Sequence, residues 1–135
     1  MVSDVSAQIE DKQFLVVRLH GKLTVCLLDT GSIHNIVSER FTKIHHLPIT
    51  AEQSPTLTAV GGKPLKILGT TNFEINITGL IIPITATVVK VLTNEFIIGT
   101  NFLVENGAVV DYRSGVISLA QDTIRAPTSA RLISK

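Results

Sequence analysis

A chain of 135 residues has the length of one domain, and its formal net charge of +1, with Lys and Arg spread along it, argues against an electrostatic surface built for nucleic acid. One cysteine excludes an internal disulfide framework, and no apolar run approaches the ~20 residues of a membrane-spanning helix, so no membrane partner is expected. Hydrophobic residues make up 44% of the chain but aromatics only 4%, so Val, Ile, Leu and Thr carry the apolar content, a composition that favours strands.

The opening Met1-Val2-Ser3-Asp4 has no basic stretch leading into an apolar one, so no signal peptide is expected and a cytoplasmic location is. Residues 1–12 are polar and mixed and read as a terminal arm. Residues 14–19 predict a strand, His20-Gly21-Lys22 a turn and residues 23–28 the returning strand, with Cys26 a small buried hydrophobe inside it. The strand delivers Asp29 into a tight turn, Asp29-Thr30-Gly31-Ser32, where a carboxylate lies between hydroxyls and a glycine and can be held by hydrogen bonds. Residues 33–37 continue as short apolar structure, and 38–44 predict one or two helical turns ended by Pro48.

Residues 56–60 and 64–68 are strand-like runs around Gly61-Gly62-Lys63, which reads as a glycine-rich hairpin tip where backbone can approach a ligand closely. Residues 72–77 alternate apolar and polar with period two, Gly79 turns the chain, and residues 80–91 give further strand, with Pro83 suggesting an edge or a strand start. Residues 93–95 turn into Phe96-Ile97-Ile98, and 100–105 predict a short helix stopped by Asn106-Gly107. A last hairpin turns at Arg113-Ser114-Gly115, and residues 120–135 read as a loosely held tail.

Two blocks in this order resemble a known family. Leu27-Leu28-Asp29-Thr30-Gly31-Ser32 looks like the active-site motif of the retropepsins, the aspartic proteases of retroviruses and long-terminal-repeat retrotransposons, and Phe96-Ile97-Ile98-Gly99 followed by a short helix is similar to their second block. The resemblance spans residues 14–119, with 1–12 and 120–135 as terminal arms of a single domain. It implies an all-β, small closed barrel-like fold with one short helix after Gly99, assembled as a homodimer. Many relatives carry an arginine or similar residue after the second glycine, and some an aspartate next, where this chain has Thr100 and Asn101.

Peptide hydrolysis by such an enzyme needs two carboxylates sharing a proton, one to take a proton from water and one to give a proton to the carbonyl oxygen. Only one Asp-Thr-Gly exists, so the second aspartate must come from an identical chain across a two-fold axis. By resemblance, Asp29, Thr30 and Gly31 form the catalytic motif, with Thr30 locking the two turns together and Ser32 donating to the outer oxygen of Asp29 and bordering the substrate. Ala59, Val60, Gly61 and Gly62 line a polypeptide substrate from a flap, and Ile98 and Gly99 support the turn from behind. No metal or organic cofactor is implied, since water is the nucleophile; adjacent His45 and His46, without a third ligand, make a poor metal site. The implied activity is endoproteolysis of a retroelement Gag-Pol-type polyprotein, in the cytoplasm or in virus-like particles. The competing reading is a host-domesticated dimerisation or peptide-binding module that cleaves little or not at all.

Overall fold

The computed structural model describes residues 12–51, 57–58, 64–111, 113–119 and 124–129. Strands β1 (Lys12–Leu19) and β2 (Lys22–Asp29) form a hairpin whose two-residue turn, His20-Gly21, has positive φ at both positions (52° and 80°). That is the turn geometry whose twist matches flanking strands, and it leaves Lys22 in the strand instead of the turn. The other long hairpin, β6 (Ile67–Ile77) and β7 (Leu80–Val89), closes the same way through Thr78-Gly79. Between these hairpins lie β3 (Ile36–Ser38), helix α1 (Glu39–Ile44), and the short antiparallel pair β4 (Leu57–Thr58) and β5 (Pro64–Leu65). After β7 come β8 (Phe96–Ile98), helix α2 (Thr100–Glu105), β9 (Val109–Asp111), β10 (Val116–Leu119) and β11 (Ile124–Ser129).

The strands run in the order β2-β8-β3-β7-β6-β1, and β1 also pairs with β2, so six strands close into a barrel. Closure removes the exposed edges of an open sheet. Alternation in β6 puts Phe73, Ile75 and Ile77 inside, where they meet Leu15, Val17, Leu28, Ile82, Ile84 and Val88. Phe41, Phe73 and Phe96 pack as a trio with ring centroids 5.1–5.8 Å apart, within the range of favourable aromatic pairs. Leu27, Ile36, Val89 and Ile97 form a smaller cluster of their own, so the end of β2 is buried on both faces.

The described residues hold a helix at Glu39–Ile44 besides the one after Gly99, where the residues predict one or two helical turns, and Ser38 caps it: its Oγ accepts from the Phe41 N–H at 3.0 Å. Two sequence expectations change. Pro48 is not what stops α1; the His46 N–H donates to Lys43 O and the Leu47 N–H to Thr42 O, closing the helix with His46 at φ 55°. Nor are residues 124–129 a loose tail, since β11 pairs with β10 from Ile124 to Pro127 and with β1 at Phe14↔Ser129 and Leu15↔Thr128. Pro83 does lie on a one-sided stretch of β7, which meets β3 only at Thr87, Val88 and Val89. Thr85 O and Thr87 N both point towards that side, so the missing N–H of Pro83, two residues on, falls on the open flank.

Candidate active site

Parallel pairing places the two motif blocks together. Leu27↔Ile97 and Leu28↔Ile98 bring β2 and β8 to an end side by side, which sets Asp29 beside Gly99. Asp29 is only 2% exposed although the next two residues, Thr30 and Gly31, are exposed. Its Oδ1 accepts from the Gly31 N–H at 2.9 Å, and the Ser32 N–H closes the turn onto Asp29 O at 3.0 Å. A Cβ on Gly31 would lie 3.1 Å from that Oδ1, so a side chain there would crowd the carboxylate.

Asp29 Oδ2 is buried and has no hydrogen-bond partner among the described residues. A buried carboxylate oxygen left unpaired is costly, and such exceptions call for a reason. Rigid strand on one side, one held oxygen and one free oxygen suit a carboxylate presented to a water or to a second acid.

The loop after the motif is strapped from behind. Helix α2 begins at Gly99, which has no side chain to cap it, and the loop supplies the acceptors: Thr100 N–H donates to Ser32 O at 2.8 Å, and Asn101 N–H to Ile33 O at 3.0 Å. The Gly99 N–H donates to Asn35 Oδ1 at 3.0 Å. Orphan donors of a helix start are thus satisfied by carbonyls of the loop that follows Asp29. A Cβ on Gly99 would sit 2.5 Å from His34 O and 2.7 Å from Ser32 O, so only glycine permits this approach. Ile98 is fully buried below it.

Asp29, Gly31, Ser32, Ile98 and Gly99 therefore gather at one place, with Ile98 buried and Gly99 bonded to Asn35. Ser32 departs from expectation. It is 7% exposed and its Oγ donates to His34 O at 2.8 Å, so it braces its own loop and is not the donor to Asp29. The hydroxyl prefers the carbonyl two residues on because the loop doubles back there, and Gly31 already serves Oδ1. The Thr30 hydroxyl has no partner among the described residues. Ala59, Val60, Gly61 and Gly62 lie outside the described residues, although the β4–β5 pairing, Leu57↔Leu65 and Thr58↔Pro64, lies on either side of them. Sequence reasoning missed Asn35 and the backbone donors of α2, which no motif marks.

A groove of about 630 Å³ lies on the flank of this loop, lined by His34, Asn35, Thr85 and Asn101 together with Glu74 and Glu105; Asp29 does not line it. The Asp29 face is the one bearing Thr30, Gly31 and Ile33, the last 61% exposed. The His45 ring packs on Phe41 with centroids 4.5 Å apart, and burial holds its pKa below the usual histidine value. Burial also pushes the Cys26 thiol far up, and its Sγ–H donates to Leu15 O, so the thiol stays protonated and unreactive.

A closed six-stranded barrel with an Asp-Thr-Gly turn strapped by a glycine-led helix is a retropepsin-like fold. Among solved structures, the chain is similar to the retroviral protease-like domain of Ddi1 from Leishmania major, with a TM-score of 0.69 at 19% identity over 85% of this chain and 91% of that one. It is also similar to the EIAV protease solved with the inhibitor HBY-793, with a TM-score of 0.55 at 20% identity over 68% of this chain and 85% of that one. No protein-family model matches the chain. No curated protein matches it either.

Proposed function

We propose that this chain is one half of a homodimeric aspartic endopeptidase whose single active site contains Asp29 from each copy. The observation that carries the reading is the Asp29 carboxylate itself, buried at a strand end with Oδ1 held by Gly31 and Oδ2 without a partner among the described residues. Two such carboxylates brought to about 3 Å hold one proton between them. The unprotonated one takes a proton from water as its oxygen attacks the peptide carbonyl carbon, and the other gives its proton to the carbonyl oxygen. Collapse then breaks the C–N bond, and the amine leaves with a proton from the pair. Exposed Thr30, with a free hydroxyl beside the dyad, suits a cross-chain bond between the two turns. The 59–62 segment would close over an extended polypeptide, and a retroelement polyprotein handled in the cytoplasm or in virus-like particles is the substrate the motif favours.

The test is cleavage of a pool of unstructured peptides, read by mass spectrometry, for wild type and Asp29→Asn, with dimer mass followed by sedimentation. Cleavage should fall by about 10³-fold or more in a variant that keeps its fold and dimer. Cleavage that survives the substitution would sink the reading. A second reading rests on the Ddi1 similarity, which has the higher TM-score and covers more of this chain than the viral enzyme does. It makes the chain a domain within a host protein that binds peptides and cleaves rarely, and a stable wild-type dimer that cuts nothing would favour it.

A further inference from the structure

We infer that Asn35 is a positioning residue for the Asp29 turn, its one side-chain amide tying the start of α2 to β7 so that the loop between them is held. The inference rests on the protease reading for its consequence in catalysis, but not for the linkage itself. Asn35 Oδ1 accepts from the Gly99 N–H at 3.0 Å, and Asn35 Nδ2 donates to Thr85 O at 3.2 Å. The backbone joins in, with the Thr87 N–H donating to Asn35 O at 2.9 Å. The network continues across the hairpin, where Thr85 Oγ1 donates to Asn72 Oδ1 at 2.6 Å on β6.

Two features make the amide the operative group. Gly99 cannot cap α2 with a side chain, so its N–H depends on an acceptor reached from another element, and Asn35 supplies it. Thr85 O lies on the flank of β7 that β3 leaves unpaired, so its strand partner is replaced by the Asn35 N–H. A group that both accepts and donates is required at once, which an amide can do and a carboxylate cannot. Gly99 is in turn the residue against which the Ser32 and His34 carbonyls press, and the same strap reaches the turn that ends at Asp29.

The decisive variants are Asn35→Leu, which removes both bonds, and Asn35→Asp, which is nearly isosteric. A protonated Asp can still accept from Gly99 and donate to Thr85 O, whereas the carboxylate has no donor and turns an oxygen towards that carbonyl. The kcat of Asn35→Asp relative to wild type should therefore approach parity near pH 3.5 and fall at least tenfold by pH 6.5, with KM nearly constant; Asn35→Leu should be low throughout. His34, Glu74 and Glu105 line the adjoining groove in both proteins, so the ratio isolates position 35. Amide exchange supplies a readout that needs no activity: the Gly99 N–H should exchange at least tenfold faster than in wild type for Asn35→Leu at all pH, and for Asn35→Asp only at the higher pH. A flat kcat ratio across pH, or unchanged Gly99 exchange in Asn35→Leu, overturns the inference. Should wild type cleave nothing, the protease reading fails while the exchange data still decide the linkage.

Discussion

Asp29 and Thr71 are the two described residues with a buried side-chain oxygen that lacks a hydrogen-bond partner, and they call for opposite explanations. Thr71 lies in β6 opposite Ala86, 1% exposed and remote in sequence from the motif, where a lone hydroxyl serves nothing visible. Thr71→Val keeps the shape and removes the unpaired group, so stability should rise by about 1 kcal/mol in urea unfolding. A loss of stability would mean that the hydroxyl is paired after all. At Asp29 the same kind of defect sits beside exposed residues at the end of a strand, where a second chain can reach it. Thr30→Val, which deletes the free hydroxyl at nearly constant volume, should weaken dimerisation and cut cleavage about tenfold, as the loss of a cross-chain bond of roughly 1–1.5 kcal/mol would. Unchanged sedimentation and cleavage would remove Thr30 from the interface.

Helix ends show how the elements are tuned. Both helices close with the same pair of bonds: in α2 the Gly107 N–H donates to Val104 O and the Ala108 N–H to Leu103 O, and Gly107 takes φ 56°. In α1 the equivalent position is His46 at φ 55°, a conformation that costs a side-chain-bearing residue about 1 kcal/mol. His46→Gly should stabilise the fold by about 0.5–1 kcal/mol, measured by thermal or urea unfolding. Helix α1 is also tied down by charge: Ser38 Oγ donates to Glu95 Oε1 at 3.0 Å, Arg40 pairs with Glu95, and Lys90 lies 3.0 Å from Glu39. These pairs are partly exposed and contribute little each.

For the molecule as a whole, His45 couples stability to pH in the neutral-to-acid range. Its pKa is lowered first by burial and then by the charges of Lys22, His20 and His46, with Glu95 opposing. The neutral ring is favoured in the fold, so the unfolded chain takes up the proton first. The stability this supplies is complete above about pH 6.5 and is lost as pH falls through the lower folded value. Urea midpoints should therefore drop between pH 7.5 and 5, and His45→Gln should flatten that drop. Asp111 continues the trend in stronger acid, since its carboxylate accepts from the backbone N–H groups of Ser114 and Arg113 and is held below the usual range.

The elements with strong local signals were legible in the residues: the β1–β2 hairpin, the alternation of 72–77, Phe96-Ile97-Ile98 and the helix stopped by Asn106-Gly107. The Asp29-Thr30-Gly31 turn was equally legible as a strand end, because a strand ending in Asp-Thr-Gly is a contiguous pattern. Strand β11 was hidden by Pro127 and polar neighbours, and it exists because β10 and β1 offer it partners. The direction of the Ser32 hydroxyl and the bonds of Asn35 were likewise out of reach, since both depend on which carbonyl or N–H comes within hydrogen-bond reach once β2, β7 and β8 have met. Sequence alone marked Asp29, Thr30 and Gly31 as the candidates for the proposed chemistry, since residue type and neighbour spacing are local properties. Only the tertiary structure decided which of their atoms are already engaged, because hydrogen bonds between residues as far apart as Asn35 and Gly99 are set by strand register and barrel closure.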